Sequence, residues 1–139
     1  MLTSEPSSVA GPVPLVFPAV AAAVPLARTA AVAAAARHGL EGEQLEAVRL
    51  AVSEAVTNAI THAYPGETGE VRVIVLPCDD EVVVLVEDDG RGPDLPSVVP
   101  GLGWGCRLMT HVCEAFALIP GEPSGTTAHL RFRRPAPAR

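Results

Sequence analysis

Residues Leu45–Tyr64 read LEAVRLAVSEAVTNAITHAY. Leu45, Val48, Val52, Ala55, Val56, Ala59, Ile60 and Ala63 recur at steps of three and four, the period of an amphipathic helix with one buried face. On the other side Glu54, Asn58 and His62 stand four residues apart. Four helical residues advance about 40° beyond a full turn, so the three make one polar stripe slanting toward the core edge. A solvated helix face gives a polar stripe too. Asn, however, competes for backbone hydrogen bonds and is a poor mid-helix residue. A stripe that carries it between an acid and an imidazole is expected to face something other than water.

Working outward, Tyr64-Pro65-Gly66 breaks the helix. Val71–Leu76 is rich in β-branched residues and reads as a strand, Cys78-Asp79-Asp80-Glu81 as a polar turn. The near-continuous apolar run Val82–Val86 reads as a central strand covered on one face by helices. Upstream, Val13–Phe17 is bounded by prolines and suits an edge strand. Ala-rich Ala21–His38 favours a helix, with Pro25 tolerable only in its first turn and Gly39 as its stop. Downstream, a third helix is expected from Cys106 to about Ala115, then a closing hairpin of Phe116–Ile119 and Thr126–Phe132. The order β, α, α, β, β, α, β, β predicts an α+β fold: a two-layer α/β sandwich with a mixed, mostly antiparallel sheet and about three helices on one face. One domain over residues 14–133 is expected, between an N-terminal tail (1–13) and a C-terminal tail (134–139).

Composition narrows the classes. The 139 residues suffice for one domain with a proper core, and 48% hydrophobic with 19% charged is a globular composition. A formal net charge of −6 argues against a direct nucleic-acid or anionic-membrane surface. No apolar run reaches the roughly 18 residues of a membrane span. The first charged side chain is Glu5, unlike the positive start of a signal peptide, so a cytoplasmic location is expected. Cys78, Cys106 and Cys113 have no metal-ligand spacing, and no structural metal is expected.

Two glycine clusters lie beyond the central strand. In Asp88-Asp89-Gly90-Arg91-Gly92 an acidic pair at the strand end precedes glycines two apart. Such a turn lets backbone approach a ligand, and its carboxylate can accept a hydrogen bond from a ligand amine. In Gly101-Leu102-Gly103-Trp104-Gly105 the glycines precede the expected third helix, whose N–H groups and dipole would favour an anion such as phosphate. Each signal alone is weak. The chain has no lysine, hence no Walker-type loop, and the second cluster does not follow a strand in the Rossmann manner.

Order and combination make the pattern specific. An E-x-x-x-N-x-x-x-H helix, a strand ending in D-x-G-x-G, G-x-G before a helix, and Gly125-Thr126-Thr127 opening a strand resemble the ATP-binding fold shared by gyrase, a heat-shock chaperone, sensor histidine kinases and mismatch-repair ATPases. Within that superfamily, Glu54-Ala-Val-Thr-Asn-Ala-Ile-Thr-His-Ala-Tyr64 resembles the bacterial anti-sigma-factor serine kinases, over about Val13 to Phe132. The resemblance implies ATP and Mg²⁺ as cofactors. It implies Glu54 as general base, Asn58 as Mg²⁺ ligand and Asp88 as acceptor for the adenine amine. Gly90 and Gly92 would lie against adenine; Gly101, Gly103 and Gly105 would hold phosphates; Thr127, or Thr126, would support the adenine end. His62 completes the nucleotide-binding set, and the roles of Arg91 and Arg107 stay open. The implied partners are a sigma factor and a small anti-sigma-antagonist protein, with a homodimer left open.

Two departures matter. The branch usually has leucine where Cys106 stands, and the segment Pro93–Pro100 is short and proline-rich, so a large lid is not expected. The alternative is a non-catalytic module that uses ATP only as a conformational ligand. Retention of Glu54 favours the enzyme. The catalytic domain of a sensor histidine kinase is disfavoured, because the segment before Leu45 is too short for a dimerisation hairpin.

Overall fold

The computed structural model describes residues 12–63, 68–90, 115–121 and 124–134. In chain order the elements are β1 (Leu15–Pro18), α1 (Ala23–Arg37), α2 (Glu43–Asn58), β2 (Glu70–Cys78), β3 (Glu81–Asp88), β4 (Ala115–Pro120) and β5 (Thr126–Arg133). The strands form one sheet in the order β1-β2-β3-β5-β4, with β3 central as its apolar run requires. Every pairing is antiparallel. The sheet expected to be mixed and mostly antiparallel is antiparallel throughout its described strands. The physical reason is connectivity: β2–β3 and β4–β5 are hairpins, and the long β3-to-β4 connection ends at the far edge rather than beside a parallel neighbour. Two α-helices are described where about three were expected; the third, from Cys106, lies outside the described residues.

Pro25 does fall in the first turn of α1, where its missing N–H has no helical partner to lose. The helix ends in a Schellman arrangement. Gly39, at φ 101°, donates its N–H to Ala36 and the Leu40 N–H reaches back to Ala35. Leu40 then turns its side chain into the core. The buried face of α1 is alanine throughout: Ala23, Ala27, Ala31, Ala34 and Ala35. Such small side chains let α1 lie close against α2, whose buried face is Val48, Ala51, Val52, Ala55 and Val56. Both helices cover one face of the sheet, made by Val71, Val73, Val82, Val84, Val86, Ala128, Leu130 and Phe132. None of the described helices is long and apolar enough to cross a membrane.

The β2–β3 connection is a turn over Cys78–Glu81, as expected. Cys78 and Glu81 are the last paired residues, and only Asp79 and Asp80 turn, with Asp79 at φ 54°. Asp tolerates that left-handed conformation better than most residues. This fixes the register across the hairpin, setting Arg72 opposite Glu87 and Val71 opposite Asp88.

A candidate nucleotide site at the open end of the central strand

The direction of α2 over the sheet places the polar stripe. At its N-terminal end the Gln44 amide donates to the Arg133 carbonyl, and Arg133 pairs with Glu81 at the start of β3. The 16 residues of α2 extend about 24 Å, close to the length of the eight-residue strand beneath. Its C-terminal half therefore travels toward the Asp88 end of β3, and the residues after Asn58 do lie against β3.

Those residues are not α-helical. The regular helix ends at Asn58, and Ala59–Ala63 form a π turn. This corrects the single α-helix expected from Leu45 to Tyr64, and Tyr64 lies outside the described residues. The poor helix former Asn58 sits at the junction. In a π turn four steps no longer complete a circle, so the slant from Glu54 to Asn58 does not continue to His62. Glu54 and Asn58 are half-buried, whereas His62 is exposed. Among the described residues, neither Glu54 nor Asn58 spends its side chain on a hydrogen-bond partner. Their oxygens are open to solvent or to a ligand.

Asp88 ends β3 on the helix-covered face, two residues beyond Val86, and only 7% of it is exposed. It is the buried acid among the described residues. Burial pushes its carboxyl above the ordinary carboxylate range. The Gly90 and Thr126 backbone N–H groups and the Arg72 charge pull the other way. The Gly90 N–H donates to Asp88 Oδ1 at 3.0 Å. Ionised, Asp88 can accept more hydrogen bonds than this, and a carboxylate held in place at low dielectric is a selective acceptor for a ligand N–H.

The closing strand supports the same spot. Thr126 pairs with Asp88 and so shares its face, whereas Thr127 pairs with Glu87 on the opposite face. Of the two threonines, the geometry brings Thr126 beside Asp88. Just before it, Gly125 stands at φ 98° and packs so tightly that a Cβ there would lie 2.1 Å from the Asp88 carbonyl oxygen. Only glycine fits. The Ser124 hydroxyl adds a hydrogen bond to the Asp89 carbonyl at 3.2 Å. Gly92, Gly101, Gly103, Gly105, Arg91, Arg107 and Cys106 lie outside the described residues, as does the Pro93–Pro100 segment.

A profile of the family described as the histidine kinase-like ATPase domain matches residues 17–132. The chain belongs to that family. Within it, the chain is 40% identical over 101 residues to an anti-sigma F factor of Clostridium botulinum, covering 64% of this chain and 71% of that protein. It is also 40% identical over 82 residues to the serine-protein kinase RsbW of Listeria monocytogenes, covering 58% of this chain and 52% of that one. The chain thus spans about half the length of this second relative. In three dimensions it resembles the crystal structure of the RsbU and RsbW domains of a Mycobacterium tuberculosis protein. The TM-score is 0.67 at 27% identity, covering 91% of this chain and 34% of the other. The α+β fold and the anti-sigma-regulator resemblance expected from the motifs are both found.

Two supporting residues escaped the motif reading, Gly125 as a steric necessity and Arg72 as a grip on the turn after Asp88. Gly125 was legible as part of Gly125-Thr126-Thr127 but not as a close approach. Arg72 could have been found only from the hairpin register.

Proposed function

We propose that this protein is an anti-sigma factor with ATP-dependent protein-serine kinase activity toward a small anti-sigma-antagonist protein, acting in the cytoplasm. The observation that carries the reading is the buried, backbone-held Asp88 at the end of the central strand, toward which α2 carries Glu54 and Asn58, neither with a side-chain hydrogen bond among the described residues. Names borne by its relatives, anti-sigma F factor and serine-protein kinase, support the same reading.

Asp88 accepts the adenine amine and so selects adenine over guanine, which presents a carbonyl there; Thr126 supports that end. Gly90 allows the ring to lie against the backbone, with Gly92 and the Gly101, Gly103 and Gly105 loop assigned to adenine and phosphates by motif. The donor chemistry fits Mg²⁺: an amide oxygen one helical turn from a carboxylate suits a hard cation that keeps waters and phosphate oxygens. Asn58 would hold the ion, which supplies charge neutralisation when bound. Glu54 takes the proton of the antagonist serine as its oxygen bonds to the terminal phosphorus. The bond to the bridging oxygen breaks and ADP leaves. Catalysis is then mostly positioning and electrostatics.

The test is single-turnover transfer from labelled ATP to antagonist proteins encoded in the same genome, alongside ATP and sigma-factor binding. Positioned general bases contribute typically 10²–10⁴ in rate. Glu54→Gln is expected to keep both bindings and to slow transfer by about that factor. An unmodified protein that binds ATP and sigma factor yet phosphorylates no antagonist would falsify the kinase and leave an ATP-dependent binding module.

A further inference from the structure

Asp89 follows the last residue of β3, so no strand ladder fixes it, and its side chain is 68% exposed. It is nevertheless gripped. Arg72, on the neighbouring strand, donates Nη1 to Asp89 Oδ2 at 2.8 Å and Nη2 to Oδ1 at 3.0 Å, a two-pronged pair. The same guanidinium donates Nε to Glu87 Oε1 at 3.3 Å. Arg72 is itself only 23% exposed, and its register partner is Glu87. One side chain therefore ties the residues before and after Asp88 from the sheet face opposite to that of Asp88. On the other flank, the Ser124 hydroxyl donates to the Asp89 carbonyl and Gly125 packs close against the Asp88 carbonyl.

We propose that Arg72 is a positioning residue for the nucleotide site, gripping Glu87 and Asp89 so that the Asp88-Asp89-Gly90 backbone presents the Asp88 carboxylate to adenine. The proposal rests on the ATP-binding reading above and adds a residue that touches no nucleotide. An exposed ion pair contributes little to global stability, but a two-pronged pair fixes direction as well as distance. The opposing charge also counts: Arg72 holds the Asp89 carboxyl below its ordinary range and keeps a bare negative charge from standing next to Asp88. Lysine cannot reproduce the fork.

The experiment uses the full chain with Arg72→Ala, Arg72→Lys, Asp89→Asn and the double variant Arg72→Ala/Asp89→Asn. ATP affinity is measured by calorimetry with Mg²⁺. Gly90 amide exchange is followed by NMR without nucleotide, and melting temperature is recorded for each. Arg72→Ala is expected to weaken ATP binding about tenfold, the scale of one charge-assisted hydrogen bond, and to speed Gly90 exchange. Arg72→Lys should recover only part of either. The double variant should bind ATP no more weakly than the worse single one, because one grip is lost in each case. ATP affinity and Gly90 exchange unchanged in Arg72→Ala overturn the proposal, as does additive weakening in the double variant. A loss that merely follows the melting temperature across the set also overturns it, by reducing Arg72 to a stabilising residue. An unmodified chain that binds no ATP sinks the functional reading instead, and Gly90 exchange still decides whether the grip exists.

Discussion

The two ends of β3 carry similar residues and behave differently. At the Glu81 end, Arg131 pairs with Glu81 at 2.7 Å, and Arg134 donates its backbone N–H to the Asp80 carbonyl at 2.7 Å and Nη1 to the Asp79 carbonyl at 3.0 Å. The Arg131 side chain is 45% exposed and that of Glu81 18%, and a pair whose cation stays open to water contributes about 0.2–1 kcal/mol. A shallow cavity on the open sheet face here, lined by Leu76, Cys78, Val83, Leu85 and His129, contains none of the stripe residues. At the Asp88 end the acid is buried, and the donors nearest it are backbone N–H groups rather than a partnering cation. Acids and arginines in number, even beside a cavity, do not make a site. An acid kept where its charge is costly does point to one.

The sharpest way to break this contrast is to remove one side chain at each end. Asn58→Ala is expected to abolish phosphoryl transfer and to lower Mg²⁺-dependent ATP affinity while the circular dichroism spectrum stays unchanged. Arg131→Ala should leave transfer and ATP affinity as they were and cost at most about 1 kcal/mol of stability. Transfer at the unmodified rate in Asn58→Ala removes the metal role from that residue. Impaired transfer in Arg131→Ala erases the difference between the ends.

Next in size is the adenine contact. Asp88→Asn should weaken ATP binding by about 1.5–3 kcal/mol, the range for a lost hydrogen bond to a charged group. GTP should compete poorly against ATP on the unmodified protein. Equal affinities for the two nucleotides by calorimetry would take Asp88 out of the recognition of adenine.

A third substitution asks whether the Asp88 end is built as tightly as it looks. Gly125→Ala puts a methyl group into the Asp88 carbonyl and a side chain at positive φ. Strain of that kind costs about 1–3 kcal/mol, and denaturant midpoints should fall accordingly, with ATP affinity falling too. The control is Gly42→Ala, also at positive φ (59°) but with nothing within 4 Å. It should cost less and leave ATP affinity alone. Equal losses at the two glycines would mean that only backbone conformation matters at Gly125, not its approach to Asp88.

What the sequence made legible follows from range. The apolar period of Leu45–Ala63 and the run Val82–Val86 are local signals, and they placed α2 and the central strand. The Asp88 and Gly125-Thr126 ends were legible because motif order reports which segments share a site. The π turn was not, since Ala59–Ala63 keeps the apolar period while its hydrogen bonds shift to i→i+5. Nor was the grip of Arg72. Its partners are 15 and 17 residues away, and the register that joins them depends on which residues of Cys78–Glu81 close the turn. Nor could local signals tell Thr126 from Thr127, because a strand's faces are assigned only once its partner is in register.

The smallest expected effect tests the cost of the buried charge itself. The folded-state carboxyl of Asp88 is raised above its ordinary value, chiefly by burial. The folded protein therefore holds that proton more tightly than the unfolded chain does. Stability from Asp88 is fully present below the unfolded value of 3.8 and is lost as pH rises through the raised folded value. Asp88→Asn cannot titrate, so this loss is absent from it, while every other carboxylate, including the Arg72-held Asp89, is common to both proteins. The melting temperature of Asp88→Asn minus that of the unmodified protein, both without nucleotide, should therefore become more positive from about pH 4 to pH 7. Taking the difference cancels whatever Asn costs by its own packing, since that cost does not vary with pH. A difference that stays flat means that Asp88 ionises as an exposed acid does, and a difference that becomes more negative means that its charge is stabilised in the fold. Either result would take away the cost of the buried charge on which the contrast rests.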